Sequence, residues 1–219
     1  MSQEFRMTIQ YMNIQTYPIG EMQSNCYLLE KDGKALLIDP GDTADFLLEK
    51  IQTMRLELVG IVATHGHFDH IMAVGEIQLS CPTLPLHIHE KDIFLLKRVI
   101  ETARHFLKYD PVVIPIGLTT KIKSGKLVIQ NFQLSVIETP GHTPGSCCLY
   151  FENEKVLFSG DTLFKSGIGR YDFSYSDKEK LEKSLEKLLK LPEETIVYPG
   201  HGEETSIRDE KNIIQMFFS

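Results

Sequence analysis

Nothing in this sequence pairs its cysteines. Cys26, Cys81, Cys147 and Cys148 form no Cys-x-x-Cys spacing, and adjacent Cys147 and Cys148 would point to opposite faces of a strand. They read as small buried apolar residues in a reducing compartment, and no disulfide staple is required. A basic excess is also missing. The 23 Lys and Arg stand against 30 Asp and Glu, a formal charge of −7, which argues against a nucleic-acid partner and for small molecules. No run approaches the roughly 20 apolar residues of a membrane span. The start, Met1-Ser2-Gln3-Glu4-Phe5-Arg6, lacks the basic beginning and apolar core of a secretory signal. These absences predict a cytoplasmic protein with no membrane partner. At 219 residues the chain suits one large domain, or two fused halves sharing a core.

What is present begins with strands. Thr8–Tyr17 and Asn25–Glu30 read as strands, and Lys31-Asp32-Gly33-Lys34 as the hairpin turn before Ala35–Ile38. Phe46, Leu47, Ile51 and Met54 recur at helical spacing, predicting a helix over 44–54. Leu58–Ala63 is apolar nearly throughout, as in a strand buried on both faces. Asp69 can open a helix with Ile71, Val74 and Ile77 inward. A strand over 84–89 and a helix from Glu90 to about Arg98 follow, and 102–117 reads mostly as loop. Lys121-Ile122-Lys123, Ser124-Gly125 and Lys126–Ile129 predict a hairpin, with strands after it at 132–138, 146–151 and 155–159. Ser176 and Glu179 have capping-box spacing before a helix to about Lys190, and a strand over 195–198 and a helix over 207–217 close the chain.

Chemistry concentrates where apolar strands end. Val62-Ala63 runs into Thr64-His65-Gly66-His67-Phe68-Asp69-His70, three imidazoles and a carboxylate within six positions. A His-rich polar loop is the plain alternative, but matching ligands stand at three other strand ends: His142 after Thr139-Pro140-Gly141, Asp161 after Ser159-Gly160, and His201 after Pro199-Gly200. Imidazole nitrogens and carboxylate oxygens are the ligands zinc takes readily, with iron and manganese as alternatives. Seven ligands suit two divalent ions better than one. A workable division gives His65, His67 and His142 to the first, Asp69, His70 and His201 to the second, with Asp161 bridging. Two ions at about 3.5–4 Å can hold a hydroxide between them and polarise a substrate oxygen, which predicts hydrolysis. Asp69 and the hydroxide held by Asp161 are the catalytic candidates. Asp39, before Pro40-Gly41, is either a turn former or an outer partner of a ligand imidazole. His87 and His89 share a strand face but have no acidic or His partner in the sequence, and His105 reads as a surface residue.

With His65-x-His67-x-Asp69-His70, then His142, Asp161 and His201 in that order, the chain resembles the metallo-β-lactamase-fold hydrolases. The resemblance implies an α/β fold, an αββα sandwich of two mixed sheets flanked by helices, with 1–219 as one domain of two similar halves. The lactamases proper usually carry Cys where Asp161 stands, so antibiotic hydrolysis is not expected. Ser24-Asn25-Cys26-Tyr27, Thr139–Ser146 and Gly160-Asp161-Thr162-Leu163-Phe164 look like glyoxalase II, the hydroxyacylglutathione hydrolases. Gly169-Arg170-Tyr171-Asp172-Phe173 is closer to a short bacterial branch and to persulfide dioxygenases, which usually have Thr at Tyr171. The implied reaction is hydrolysis of a small hydroxyacid thioester, glutathione-linked or otherwise. Full-length glyoxalase II adds a helical extension with basic residues for glutathione, whereas this chain ends 18 residues after His201.

Arg170 could hold a substrate carboxylate, with Lys165 and Tyr171 nearby, or simply pair with Asp172. The rival readings are a persulfide dioxygenase with one iron on His65, His142 and Asp161, a phosphodiesterase or tRNA-processing nuclease, and a non-enzymatic zinc module. Charge counts against the nuclease, and the excess of ligands against a closed structural cage.

Overall fold

In the computed structural model, which describes residues 12–216, alternation along the strands builds the layers. β1 (Asn13–Ile19), β2 (Ser24–Lys31) and β3 (Lys34–Ile38) form an antiparallel meander. β4 (Glu57–Val62), β5 (Leu86–His89) and β6 (Thr119–Ile122) add to it in parallel, so the six strands lie in chain order. A second six-stranded sheet holds β7 (Gly125–Ile129), β8 (Phe132–Glu138), β9 (Cys147–Phe151) and β10 (Val156–Gly160), all antiparallel. After a small hairpin of β11 (Leu163–Phe164) and β12 (Gly167–Ile168), β13 (Ile196–Pro199) returns parallel to β10, and β14 (Thr205–Ser206) pairs with β13. The helices are α1 (Ala44–Thr53), α2 (Phe68–Ile71), α3 (Val74–Ser80), α4 (Ile93–Leu96), α5 (Val99–Leu107), α6 (Lys178–Leu188) and α7 (Ile207–Met216).

Successive strand residues face opposite ways. Leu28 and Leu37 therefore pack with Leu47 and Ile51 of α1 and Ile77 of α3. Their neighbours Leu29, Leu36 and Ile38 meet Phe132, Leu134, Leu149 and Phe158 between the sheets. On the far side Cys148, Leu157 and Val197 lie against Leu181, Leu185 and Leu188 of α6 and Ile207 and Ile214 of α7. Each such leucine, buried completely, is worth about 1.5–3 kcal/mol. The result is helix, sheet, sheet, helix, the expected αββα sandwich. Cys147 faces the inter-sheet core while Cys148 faces α6, as alternation requires; Cys81 alone of the four thiols is only half-buried. Among the described residues no helix is long and apolar enough to cross a membrane.

Several elements differ from the sequence reading. The first strand runs Asn13–Ile19, displaced from 8–17, and positions 8–11 and 217 lie outside the described residues. Lys121–Lys123 does not fold back on Lys126–Ile129. Instead β6 pairs with β5, Ile122 enters the inter-sheet core, and the chain crosses to the other sheet at Ser124, where β7 pairs with β8. The Ser-Gly turn signal yields here to burial of Ile122. Residues 102–107, read as the start of a loop, belong to helix α5 (99–107), anchored by buried Val99 and Ala103 one turn apart. Asp69 lies within the short helix α2, and His67 occupies its N-cap position. Asp177, not Ser176, caps α6 by accepting from Lys180 N at 3.0 Å.

Candidate metal centre

The parallel pairs β3/β4 and β10/β13 end at one rim, and the loops after them, with the β8–β9 loop that carries His142, bear the imidazoles and carboxylates. Beside Thr64, Asp39 accepts from its backbone N–H (2.7 Å) and its hydroxyl (2.6 Å). Two glycines let the loops close on each other. A Cβ on Gly200 would lie 2.1 Å from Asp161 Oδ1, and one on Gly160, at φ +50°, 2.3 Å from Thr64 Oγ1. Asn25 fastens the last loop, donating from Nδ2 to Pro199 O (3.0 Å) and Gly202 O (2.9 Å), and Tyr27 Oη donates to Pro199 O. Ser24 Oγ likewise donates to Asp69 O. The Ser24–Tyr27 segment thus acts by holding the rim together.

All seven expected ligands arrive there, in two groups. His65, His67, His142 and Asp161 present one ligand atom each within 4.8 Å of one another, as do Asp69, His70 and His201. His67 Nδ1 lies 3.1 Å from His65 Nε2 and 3.0 Å from His142 Nε2. One hydrogen cannot serve all three nitrogens, and without it their lone pairs face one another, whereas a cation among them would take each lone pair. Asp161 links the groups: Oδ1 is 3.4 Å from His70 Nε2, and Oδ2 is 3.4 Å from His142 Nε2 and 3.8 Å from His201 Nε2. Asp69 Oδ2 lies 3.3 Å from His201 Nε2 and 3.6 Å from His70 Nε2. Buried His70 Nε2 and Asp161 Oδ1 face each other at 3.4 Å, yet neither makes a hydrogen bond among the described residues. Such orphans are costly in a protein interior, and a divalent ion would satisfy both. The donor set and its unsatisfied inner atoms fit two metals; which metal is not fixed by nitrogen and carboxylate ligands.

Four of the five imidazoles have their outer nitrogen held. His65 Nδ1 meets Thr64 Oγ1 (3.1 Å), His142 Nδ1 meets Arg170 O (2.9 Å), His67 Nε2 meets Tyr175 Oη (2.8 Å) and His70 Nδ1 meets Asp39 Oδ2 (3.1 Å). Such partners fix ring orientation and tautomer. Asp39 fits both readings left by the sequence: its backbone turns at φ +53°, and its carboxylate meets a ligand imidazole.

Ligation also needs neutral imidazoles. In the metal-free protein, burial and the surrounding imidazoles hold His65 well below its usual range, and burial with His142 brings His67 down to about 3. His70 goes the other way. Burial opposes its charge, but Asp69, Asp161 and Asp39 override it and carry it up to about 10. Because that lies above the ordinary 6.5, the charge stabilises the metal-free fold below about pH 6.5, and the contribution is lost as pH rises through about 10. A cation entering the second group must expel this proton. Its affinity is expected to rise about tenfold per pH unit across the neutral range, with a shallower rise at the first group. Chelator competition at about pH 6, 7 and 8 measures both slopes.

Above the two groups opens a cavity of 310 Å³, walled by Met22, Phe68, Phe106, Phe164, Phe173 and Tyr175, with Thr102 and Arg170 beside them. Of the three residues expected to hold substrate, only Arg170 is on its wall, and Asp172 already closes its fork at 2.9 Å on both arms. Lys165 pairs instead with Glu203, and exposed Tyr171 lies 5.9 Å below Lys178 Nζ; neither lines the cavity. His89, for which the sequence showed no partner, lies 3.2 Å from Glu138 Oε1 on the second sheet. His105 is exposed.

Three features had no signal in the sequence. Thr102 and Phe106 reach the cavity because 99–107 is helical. Tyr175 reaches His67 across 108 positions. Asp92, fully buried, accepts from Gly66 N (2.9 Å), Thr143 Oγ1 (2.6 Å) and Gly145 N (2.6 Å), tying the His65–His67 loop to the His142 loop.

Comparison with known proteins agrees with this geometry. Residues 19–201 match the family model of the metallo-beta-lactamase superfamily. The hydroxyacylglutathione hydrolase GloC of Haemophilus influenzae is 36% identical over 203 residues, spanning 91% of this chain and 95% of GloC. Among solved structures, the B3 metallo-beta-lactamase BLEG-1 superposes with a TM-score of 0.85 at 34% identity, over 94% of this chain and 100% of its own. TTHA1623 in a di-iron-bound form gives 0.83 at 34% identity, over 91% and 98%. On the family match, the chain belongs to the metallo-beta-lactamase superfamily.

Proposed function

We propose that the protein hydrolyses the thioester of a small hydroxyacid at a centre of two divalent cations. The first is held by His65, His67 and His142, the second by Asp69, His70 and His201, with Asp161 shared. The observation that carries this is Asp161, whose two oxygens face the two ligand groups at the floor of a cavity of 310 Å³. Bound there, the ions supply Lewis acidity and an acidified water at neutral pH. The chain's own part is positional. Thr64, Tyr175, Arg170 and Asp39 hold the ligand rings by their outer nitrogens. The aromatic wall excludes bulk water from the acyl group and strengthens the electrostatics within. Arg170 stands at the cavity rim, where a charged end of the substrate would compete with Asp172 for its fork. An acidified water is itself the nucleophile, so no acyl-enzyme step is required of the protein.

A small-molecule substrate suits the cavity's size, and the net charge of −7 disfavours nucleic acid. The name of the Haemophilus relative supports a hydroxyacyl thioester, with glutathione as one candidate carrier. Metal-loaded protein is expected to release thiol from S-lactoylglutathione or from a simpler lactoyl thioester. A preparation with both positions filled that releases thiol from none of them overturns the reading. Two controls on the same preparation separate the rivals: a chromogenic β-lactam, and oxygen uptake with glutathione persulfide in the iron-loaded form.

A further inference from the structure

We propose that Tyr175 binds the substrate, donating its hydroxyl hydrogen to an oxygen of the acyl group. This rests on the hydroxyacyl reading for the identity of the acceptor, but its origin is the tautomer of His67. His67 turns Nδ1 toward His65 and His142 at 3.1 and 3.0 Å and Nε2 toward Tyr175 Oη at 2.8 Å. A nitrogen that gives its lone pair to a cation carries no hydrogen, so with Nδ1 turned inward the single N–H of a neutral ring is on Nε2. Nε2 then donates and Oη accepts. A phenol that only accepts still has its own hydrogen to give, and none of the hydrogen bonds in the described residues uses it.

Where that hydrogen can go is limited by how the ring is held. Its face stacks on Phe173, centroids 5.7 Å apart at 18°, and Phe94 meets it at 5.7 Å and 76°. The ring is half-buried and shares the cavity wall with His67, His142 and Asp161. A phenol keeps its hydrogen at neutral pH. The hydroxyl therefore stands fixed beside the ligand groups as a donor. Carbonyl and α-hydroxyl oxygens are good acceptors and a thioester sulfur a weak one, which selects the acyl side of the substrate.

Two measurements on zinc-loaded protein test this. In ¹⁵N–¹H spectra, His67 is expected as the Nε2–H tautomer; a hydrogen on Nδ1 overturns the inference. Lactate is the probe for the acyl side, titrated by calorimetry into wild type and Tyr175→Phe at saturating zinc. Phenylalanine keeps both ring contacts, and metal content and unfolding temperature verify each preparation. The lactate Kd is expected to rise about two- to tenfold in the variant, the span of one net hydrogen bond. A residue that only orients His67 would lower zinc affinity yet leave the lactate Kd at saturating zinc unchanged, and that result, or no lactate binding by wild type, overturns the proposal. Lactate binding that depends on Tyr175 in a protein that cleaves no thioester would uphold the Tyr175 assignment and remove only the functional reading.

Discussion

Asp161→Asn is expected to abolish more activity than any other single substitution that preserves side-chain size. Among the described residues the carboxylate is the only group whose two oxygens face both ligand groups, at 3.4 Å from His70 Nε2 on one side and 3.4 Å from His142 Nε2 on the other. An amide offers one oxygen and an NH₂ that cannot ligate, so one group keeps a weaker ligand and the other gains a buried donor aimed at a cation. Loss of an outer partner of a ligand typically costs about 10–100-fold in metal affinity or activity; loss of a shared ligand should exceed that range. The negative charge also matters before any metal binds. It is one of the carboxylates that keep buried His70 protonated, so the variant lowers the pH at which His70 gives up its proton. Elemental analysis after dialysis, together with the initial rate on a lactoyl thioester, decides the matter. Two metals per chain with a rate within tenfold of wild type would show that Asp161 does not join the centres.

Much of this centre is legible in the sequence because each ligand follows a strand end marked by local chemistry. His65, His142, Asp161 and His201 stand directly after apolar runs, three of them after a glycine, and parallel strands deliver such positions to one rim. The sandwich is legible for the same reason: β2, β3, β9 and β10 carry apolar residues on both faces and so must be covered twice. What failed depended on contacts distant in sequence. Helix α5 buries only Val99 and Ala103, and its Thr102 and Phe106 face a cavity that no local periodicity announces. The hairpin expected at 121–129 was a sound local pattern, overruled by the pairing of β6 with β5. Lys165 and Tyr171 were placed with Arg170 because they are close in sequence, but the β11–β12 hairpin turns Lys165 outward to Glu203.

Asp92 shows how large an effect can lie where the sequence offers no motif, and Asp92→Ala is expected to be among the most damaging substitutions in the protein. The side chain is fully buried and gathers three donors from two loops, one at Gly66 and the other at Thr143 and Gly145, far apart in sequence. Thr143 retains an alternative partner in Ser146 Oγ at 2.7 Å, whereas the backbone N–H groups of Gly66 and Gly145 would be left with none. Two buried unsatisfied donors at about 1–3 kcal/mol each give a loss of about 2–6 kcal/mol. Asp92→Asn should fall between, since its amide can still accept from one side but must turn an NH₂ toward a donor on the other. The consequence for function should be uneven. Gly66 lies between His65 and His67 and Thr143 follows His142, so Asp92 supports the first ligand group, while His70 leans on Asp39. In the Asn variant, metal affinity is therefore expected to drop at the His65–His67–His142 position and to hold at the Asp69–His70–His201 position. Chemical denaturation of the metal-free protein gives the stability loss, and stepwise cobalt titration followed by visible absorption resolves the two positions. An equal loss of affinity at both would reduce Asp92 to a general contributor to stability.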